Sequence, residues 1–343
     1  MNDTDGLYAR AHKVIIEQWL PLQKGKTFTT EDVIRYFKAD GVRNYRDGSS
    51  PLEFRRALAT VLWNITHRNK TPDLEQNGNR YRLINRDFKV VTPGSTKGGN
   101  DFPIVWPRGV SDNTEFGFAS TVVVKKGDVL GLGGEGNRGK SAFALNLTTE
   151  NMDTHPVTLV LSENVHRLED RLSHFDWVEL LKPDGNWKFE VLEAHGSEEF
   201  LDIVRERANN LVIIDWLSVT KEAYLVADFY RSVSTLLNDG VCLVVQQKRS
   251  YKEYVVGGEG ALDNCSVFLI LTSGILEVAK AKEWQYNNPN NAMYRFAITN
   301  DGSRFCSIGE VKKCPECHGN KFVKGVKCGR CYGNGFIDVL EEI

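Results

Sequence analysis

The sequence predicts a mixed α/β fold in which a mostly parallel sheet carries helices on both faces. Three observations predict it. Runs at 157–161, 211–215, 241–245 and 266–271 are short, rich in Val, Leu and Ile, and far enough apart to leave room for helices between them. Continuous apolar runs of that length suit strands buried on both faces, as parallel strands are. A fifth run, 128–132, leads into the glycine-rich turn Gly134-Glu135-Gly136-Asn137-Arg138-Gly139-Lys140-Ser141, and the residues after that turn place apolar side chains at helical spacing.

Bulk properties set the frame. At 343 residues, 41% hydrophobic and 26% charged, the chain has room for two or three domains. No stretch approaches the roughly 18 apolar residues of a membrane span, and the first residues lack the apolar core of a signal peptide. The expected setting is therefore cytoplasmic, with no membrane partner. The net charge of −2 hides an uneven distribution. Residues 1–90 hold 16 Lys and Arg against 11 Asp and Glu, and residues 311–335 hold 6 against 1. Residues 91–310 hold 21 against 30. Basic ends around an acidic middle suit a central engine with appendages that touch nucleic acid. Ordinary surface variation is the competing account.

Residues 1–90 come first. An amphipathic segment at 8–20 is followed by Thr29-Thr30-Glu31-Asp32, a threonine cap ahead of acidic first-turn residues. Ser49-Ser50-Pro51 opens a third helix reaching about His67, with proline in its first turn. A polar hairpin tip at Gln76-Asn77-Gly78-Asn79 precedes a strand at 80–84. Three helices and a β-wing make a winged-helix-like domain whose third helix would enter the major groove. Arg55, Arg56, Arg68 and Lys70 would then be its DNA contacts. A winged helix that binds protein, or another small α+β domain, fits the same residues. Residues 91–103 include Thr92-Pro93-Gly94-Ser95-Thr96-Lys97-Gly98-Gly99-Asn100, a flexible linker by composition.

The core, 104–310, carries the most specific signal. Residues 134–141 spell a complete G-x-x-x-x-G-K-[ST] phosphate loop. Glycines let backbone N–H groups turn inward around a polyphosphate, the lysine reaches the β- and γ-phosphates, and the hydroxyl ligates Mg²⁺. The candidate ATP-binding residues are therefore Gly134, Glu135, Gly136, Asn137, Arg138, Gly139, Lys140, Ser141 and Ala142. Asp215 ends four apolar residues and is expected to hold Mg²⁺ opposite Ser141. Glu163 follows the 157–161 run after Ser162, at the sheet edge where a carboxylate could deprotonate an attacking water. Capping of the next helix is the alternative for Glu163. Gln247 closes the 241–245 run after Gln246, where an amide could hydrogen-bond a γ-phosphate.

Cys314-x-x-Cys317 and Cys328-x-x-Cys331 have zinc-ribbon spacing, so 311–343 is expected to bind Zn²⁺. Two disulfides are the alternative. Cys242, Cys265 and Cys306 sit in apolar runs and read as core. The sequences Cys317-His318-Gly319 and Cys331-Tyr332-Gly333-Asn334-Gly335 resemble the repeats of DnaJ-type zinc fingers. Lys321 replaces the last glycine of the first repeat, which implies a different shape for that knuckle.

The order of motifs in 104–310 resembles the RecA-like core of DnaB-type replicative helicases, phage members included. The matching residues are the phosphate loop, Ser162-Glu163, Asp215, Gln246-Gln247, Gly258-Glu259-Gly260-Ala261-Leu262, and Lys280 with Lys282. The resemblance implies that Glu163 is the general base, that Asp215 partners Mg²⁺, and that Gly258–Leu262 faces a DNA channel. It also implies that Lys280 and Lys282 reach a neighbouring subunit's nucleotide. Lys282 stands where the family has an arginine finger, and lysine lacks the planar fork. Arg249 and Arg295 are other candidates. The expectation is a DNA-dependent ATPase, a translocase or helicase acting on single-stranded or forked DNA in a bacterial or phage-infected cell. It would work as a homo-oligomer, hexameric by resemblance, alongside replication or recombination proteins. The alternative is an ATP-switched DNA-binding, loading or recombination factor that does not unwind.

Overall fold

The computed structural model describes residues 6–23, 26–39, 51–69, 74–83, 101–163, 165–217, 224–248 and 259–339. The chain divides into two units, 1–96 and 97–343.

In the first unit, α1 (Leu7–Val14) continues through helical turns to Gln23. Strand β1 (Thr27–Thr29) follows, then α2 (Thr30–Ala39), α3 (Pro51–Asn64), β2 (Leu74–Asn77) and β3 (Arg80–Leu83). The cap expected at Thr29 is present and reciprocal. The Asp32 N–H donates to the Thr29 hydroxyl at 3.2 Å, and the Thr29 N–H donates back to the Asp32 carboxylate at 2.7 Å. Those bonds from Thr29 hold the Asp32 carboxyl below its ordinary range. The strands form an antiparallel sheet in the order β1-β3-β2, turning at Gly78, where φ is +60°. Strand β1 was hidden in the sequence because its three residues run straight into α2. The unit's core closes on Ile15, Phe28, Val33, Leu58, Leu62 and Tyr81, with Phe28 stacked on Tyr81 at 5.8 Å.

The second unit begins earlier than expected. The Phe102 N–H donates to the Val124 carbonyl at 2.7 Å, so 101–103 belong to this body, while 91–100 lie outside the described residues. Its elements are β4 (Val129–Gly134), α4 (Lys140–Asn151), β5 (Val157–Leu161), α5 (Leu168–Ser173), β6 (Glu190–Glu193), α6 (Ser197–Glu206), β7 (Leu211–Leu217), α7 (Tyr224–Leu236), β8 (Val241–Gln247), α8 (Glu259–Asp263) and β9 (Val267–Leu271). Then come β10 (Ile275–Ala281), β11 (Met293–Thr299), β12 (Arg304–Lys313), β13 (Phe322–Val323), β14 (Val326–Lys327) and β15 (Phe336–Asp338).

One ten-stranded sheet holds the order β15-β12-β11-β10-β9-β4-β8-β7-β5-β6. From β9 to β6 every pairing is parallel. From β9 outward through β10, β11, β12 and β15 every pairing is antiparallel. Two apolar layers sandwich the sheet. Helices α4 and α5 pack on one face through Phe143, Leu147, Leu168 and Leu172. Helices α6 and α7 pack on the other through Phe200, Val204, Phe229 and Val233, with Ala261 of α8 beside them. Gly131 in β4 is required by contact, because a Cβ there would lie 2.2 Å from the Phe268 ring. Strand β12 bulges near Ser307, where its pairing with β11 shifts register.

Candidate functional site

The loop after β4 bends back into α4 at Gly139, whose φ is +91°. A side chain there would also meet Ile298 at 2.4 Å, so glycine is needed twice over. No side chain caps the start of α4, which leaves its first N–H groups directed at the loop's concavity. The Lys140 ammonium donates to the Glu135 carbonyl at 2.6 Å, folding its stem across the loop. Burial pulls the Lys140 amine below its usual value, opposed by the charges of Asp215 and Glu135.

A cavity of about 330 Å³ opens on this loop. Lys140, Ser141, Glu163, Asp215 and Gln247 all line it, together with Gly136 and Asn137. The parallel register explains the convergence. Leu161 of β5 stands beside Asp215 of β7, and Gly134 of β4 stands beside Gln247 of β8, so three strand ends deliver their polar residues to one level. Ser162 ties two of those ends. Its N–H donates to the Asp215 carbonyl at 3.1 Å, and its hydroxyl accepts from the Trp216 N–H at 3.2 Å. That tie places the next residue, Glu163, on the cavity wall, exposed.

Asp215 is 6% exposed. Burial pushes its carboxyl up, and the Ser141 hydroxyl, Arg171 and Lys140 oppose the rise. Two oxygens within one hydrogen bond of each other, beside an N–H-lined turn, are a donor pair that fits a hard divalent cation such as Mg²⁺. A smaller recess of about 210 Å³ on the flank of the loop includes Arg138, Gly139, Ala142, Asp301 and Gly302. Every loop residue from Gly136 to Ala142 therefore borders one space or the other. Gly134 ends β4, and Glu135 meets the Lys140 amine through its carbonyl.

The structure supplies two groups that sequence reasoning did not single out. Arg167 occupies the N-cap position of α5 and Arg171 lies in its last turn, four residues on, and both line the main cavity. The signal was present as an i, i+4 arginine pair just after Glu163. Lys280 and Lys282 are not part of this cluster. Ala281 pairs with Val267 at the start of β9, whereas the phosphate loop lies level with Leu271 at its end. The Lys280 amine donates to the Leu262 and Asp263 carbonyls at 2.6 and 3.1 Å, capping α8. Burial lowers its pKa. Residues 259–263 form that short helix, and a Cβ on Gly260 would lie 3.2 Å from Ala227, so this face packs on α7. Gly258 and Arg249 lie outside the described residues, as do Lys70, Ser49 and Ser50. Arg295 is bound to Asp338 at 2.6 Å. In the first unit Arg55 pairs with Glu31 at 2.8 Å, and Arg68 lies over the Trp63 ring at 5.4 Å.

Cys314, Cys317, Cys328 and Cys331 bring their sulfurs within 4.8 Å of one another, all four buried. Two of the edges measure 3.8 and 3.6 Å. Zinc–sulfur bonds of roughly 2.3 Å in a tetrahedron require edges of about 3.8 Å, so the cluster is positioned and sized for one metal ion. The two knuckles repeat each other. Backbone φ is +50° at His318 and +49° at Tyr332, then +89° at Gly319 and +75° at Gly333. Lys321 takes +68° where Gly335 takes +86°, so the first knuckle keeps the shape that its missing glycine was expected to change. Cys242 and Cys265 are buried, as expected, and Cys306 is half-buried. Among the described residues no helix is long and apolar enough to cross a membrane. No family model matches the chain, and no curated protein matches its sequence.

Proposed function

We propose that this protein is a DNA-dependent ATPase whose core is RecA-like and related to DnaB-type replicative helicases. One observation carries the reading: Lys140, Ser141, Glu163, Asp215 and Gln247, picked from four separate segments, share one cavity on the phosphate loop. The sheet order β9-β4-β8-β7-β5, with the loop strand inside the parallel block, supports the RecA-like assignment.

In this reading the loop amides and Lys140 hold the triphosphate. Ser141 and Asp215 would hold Mg²⁺, which neutralises phosphate charge. Glu163 accepts a proton from water as the water oxygen bonds to the γ-phosphorus. The bond from that phosphorus to the β,γ-bridging oxygen breaks, and ADP leaves with the electron pair. Gln247 hydrogen-bonds the γ-phosphate. Arg167 and Arg171 add positive charge in cis, where a ring ATPase would borrow it from a neighbour. Lys282, and Lys280 on leaving the α8 carbonyls, would serve another subunit's pocket in a homo-oligomer, a hexameric ring by resemblance. The helices and hairpin of residues 1–96 follow the order expected of a winged helix, which would grip DNA. The cysteine module would bind Zn²⁺.

ATP turnover, measured with and without single-stranded DNA, tests the reading. Stimulation by DNA, separation of a forked duplex, and loss of turnover in Lys140→Ala support it. ATP that changes only DNA affinity or oligomer size replaces the motor with a switch or loader. Normal hydrolysis by Lys140→Ala removes the nucleotide assignment.

A further inference from the structure

The cysteine module carries a second surface that the nucleotide site does not use. Strands β13 and β14 form a two-residue hairpin whose tip, Lys324-Gly325, is left-handed at both positions, with φ of +50° and +80°. Every residue from Lys321 to Lys327 is exposed. Phe322 pairs with Lys327 across the hairpin, so these two side chains share one face. The Lys327 stem in turn crosses the second knuckle, where a Cβ on Gly333 would lie 2.4 Å from it. That contact seats the hairpin's Lys327 on the knuckle that carries Tyr332, the residue before Gly333. Tyr332 is 77% exposed and Phe322 57%.

Exposed apolar side chains gathered on one small module, Val326 among them at 70%, mark a contact surface. The charge around them indicates what it contacts. Lys327 shares the Phe322 face, Lys321 and Lys324 lie within two residues of Phe322 in the same exposed segment, and the module's lone acid in 311–335, Glu316, turns toward the Cys328 sulfur at 3.6 Å. Flat aromatic faces among cations of one sign are the chemistry of single-strand binding. Bases stack on the rings while lysines follow the phosphates. An apolar peptide would want the rings without the lysines, and duplex DNA offers no unstacked base to receive them. We infer that Phe322 and Tyr332, flanked by Lys321, Lys324 and Lys327, form a stacking platform for single-stranded DNA. The choice of DNA over RNA rests on the proposed function. The platform itself rests on this geometry.

The test uses the full chain with zinc bound and no nucleotide, so a protein that never hydrolyses ATP still answers it. A labelled oligothymidylate is titrated by fluorescence anisotropy against wild type, Phe322→Ala/Tyr332→Ala and Lys324→Gln/Lys327→Gln. The aromatic double variant is expected to lose roughly tenfold or more in affinity at constant salt. The lysine double variant is expected to flatten the salt dependence by roughly one phosphate contact per lysine. Metal content of one zinc per chain in each variant confirms that the module is intact. Cross-links from 5-iodouracil in the oligonucleotide should map to Phe322 or Tyr332, which separates this surface from any DNA contact in residues 1–96. Unchanged affinity in the aromatic variant, or cross-links elsewhere only, overturns the platform. Tighter binding of the matching RNA overturns the choice of DNA. Binding of an apolar peptide that oligothymidylate fails to displace replaces it with a protein-docking surface.

Discussion

The phosphate-loop cavity and the cysteine module solve the same problem, fixing polar atoms in space, by opposite means. The loop hangs from the centre of a ten-stranded sheet, and apolar layers on both faces hold the strand ends in register. Its polar atoms are held by the sheet, at the cost of burying Lys140 and Asp215. The module has almost no apolar interior: its cluster is four cysteines with Ile337 packed against them. So small a core does not close by hydrophobic burial alone. One site is therefore made by the fold. The other is positioned to be completed by a metal ion.

The largest effect should come from breaking the second arrangement. Stripping zinc with a chelator, or Cys328→Ser, removes binding free energy on the order of 10 kcal/mol. Amides in 314–338 should then lose protection from hydrogen exchange, while those in β4 and β8 keep theirs. If both regions open together, the contrast drawn here is wrong.

On the cavity side, Glu163→Gln should lower ATP turnover by roughly 10²- to 10⁴-fold while nucleotide still binds. Single-turnover kinetics beside nucleotide titration would separate those outcomes. Arg171→Ala should cost about 10²- to 10³-fold, and adding a Lys140→Ala chain that carries an intact Arg171 should not restore it. Rescue by the mixed chains would place the catalytic cation in a neighbour.

A smaller effect concerns stability. Asp215 has its pKa raised by burial, so below the ordinary value of 3.8 its protonated form favours the fold, and that contribution fades as pH rises through the raised value. At neutral pH the ionised group opposes folding. Asp215→Asn should therefore melt a few degrees higher without ligand and gain little further from Mg²⁺ and nucleotide. Its advantage should shrink as pH falls toward 3.8. The smallest change is Lys321→Gly, which relieves a left-handed lysine and should steady the module by about 1 kcal/mol.

The parallel strands were legible because strands buried on both faces are written as unbroken apolar runs; β5 matches its run residue for residue. The antiparallel wing was not. Strand β11 alternates buried with less buried positions at Met293-Tyr294-Arg295-Phe296, and β12 buries only Phe305, Ile308 and Val311, so neither stands out as an apolar run. The loop, Asp215 and the cysteines could be read because their chemistry demands fixed residue types at fixed spacing. Arg167 and Arg171 could not, since an arginine pair on a helix is ordinary until a cavity is seen beside it. Lys280 and Lys282 were expected to act on a neighbouring subunit, and their place in this chain could not be read for a related reason. Sequence order places them after the core strands, and only the antiparallel return of β10 shows that they come back to the far edge of the sheet.

Strand β12 touches both halves of the contrast. It leaves the Asn300–Gly302 turn, where the Gly302 carbonyl accepts from Asn146 of α4 at 3.0 Å, and it ends one residue before Cys314. Ten residues of strand make a strut about 33 Å long. The recess beside the loop and the four-cysteine cluster therefore sit at opposite ends of one strand, whose ladder with β11 is interrupted at the bulge near Ser307.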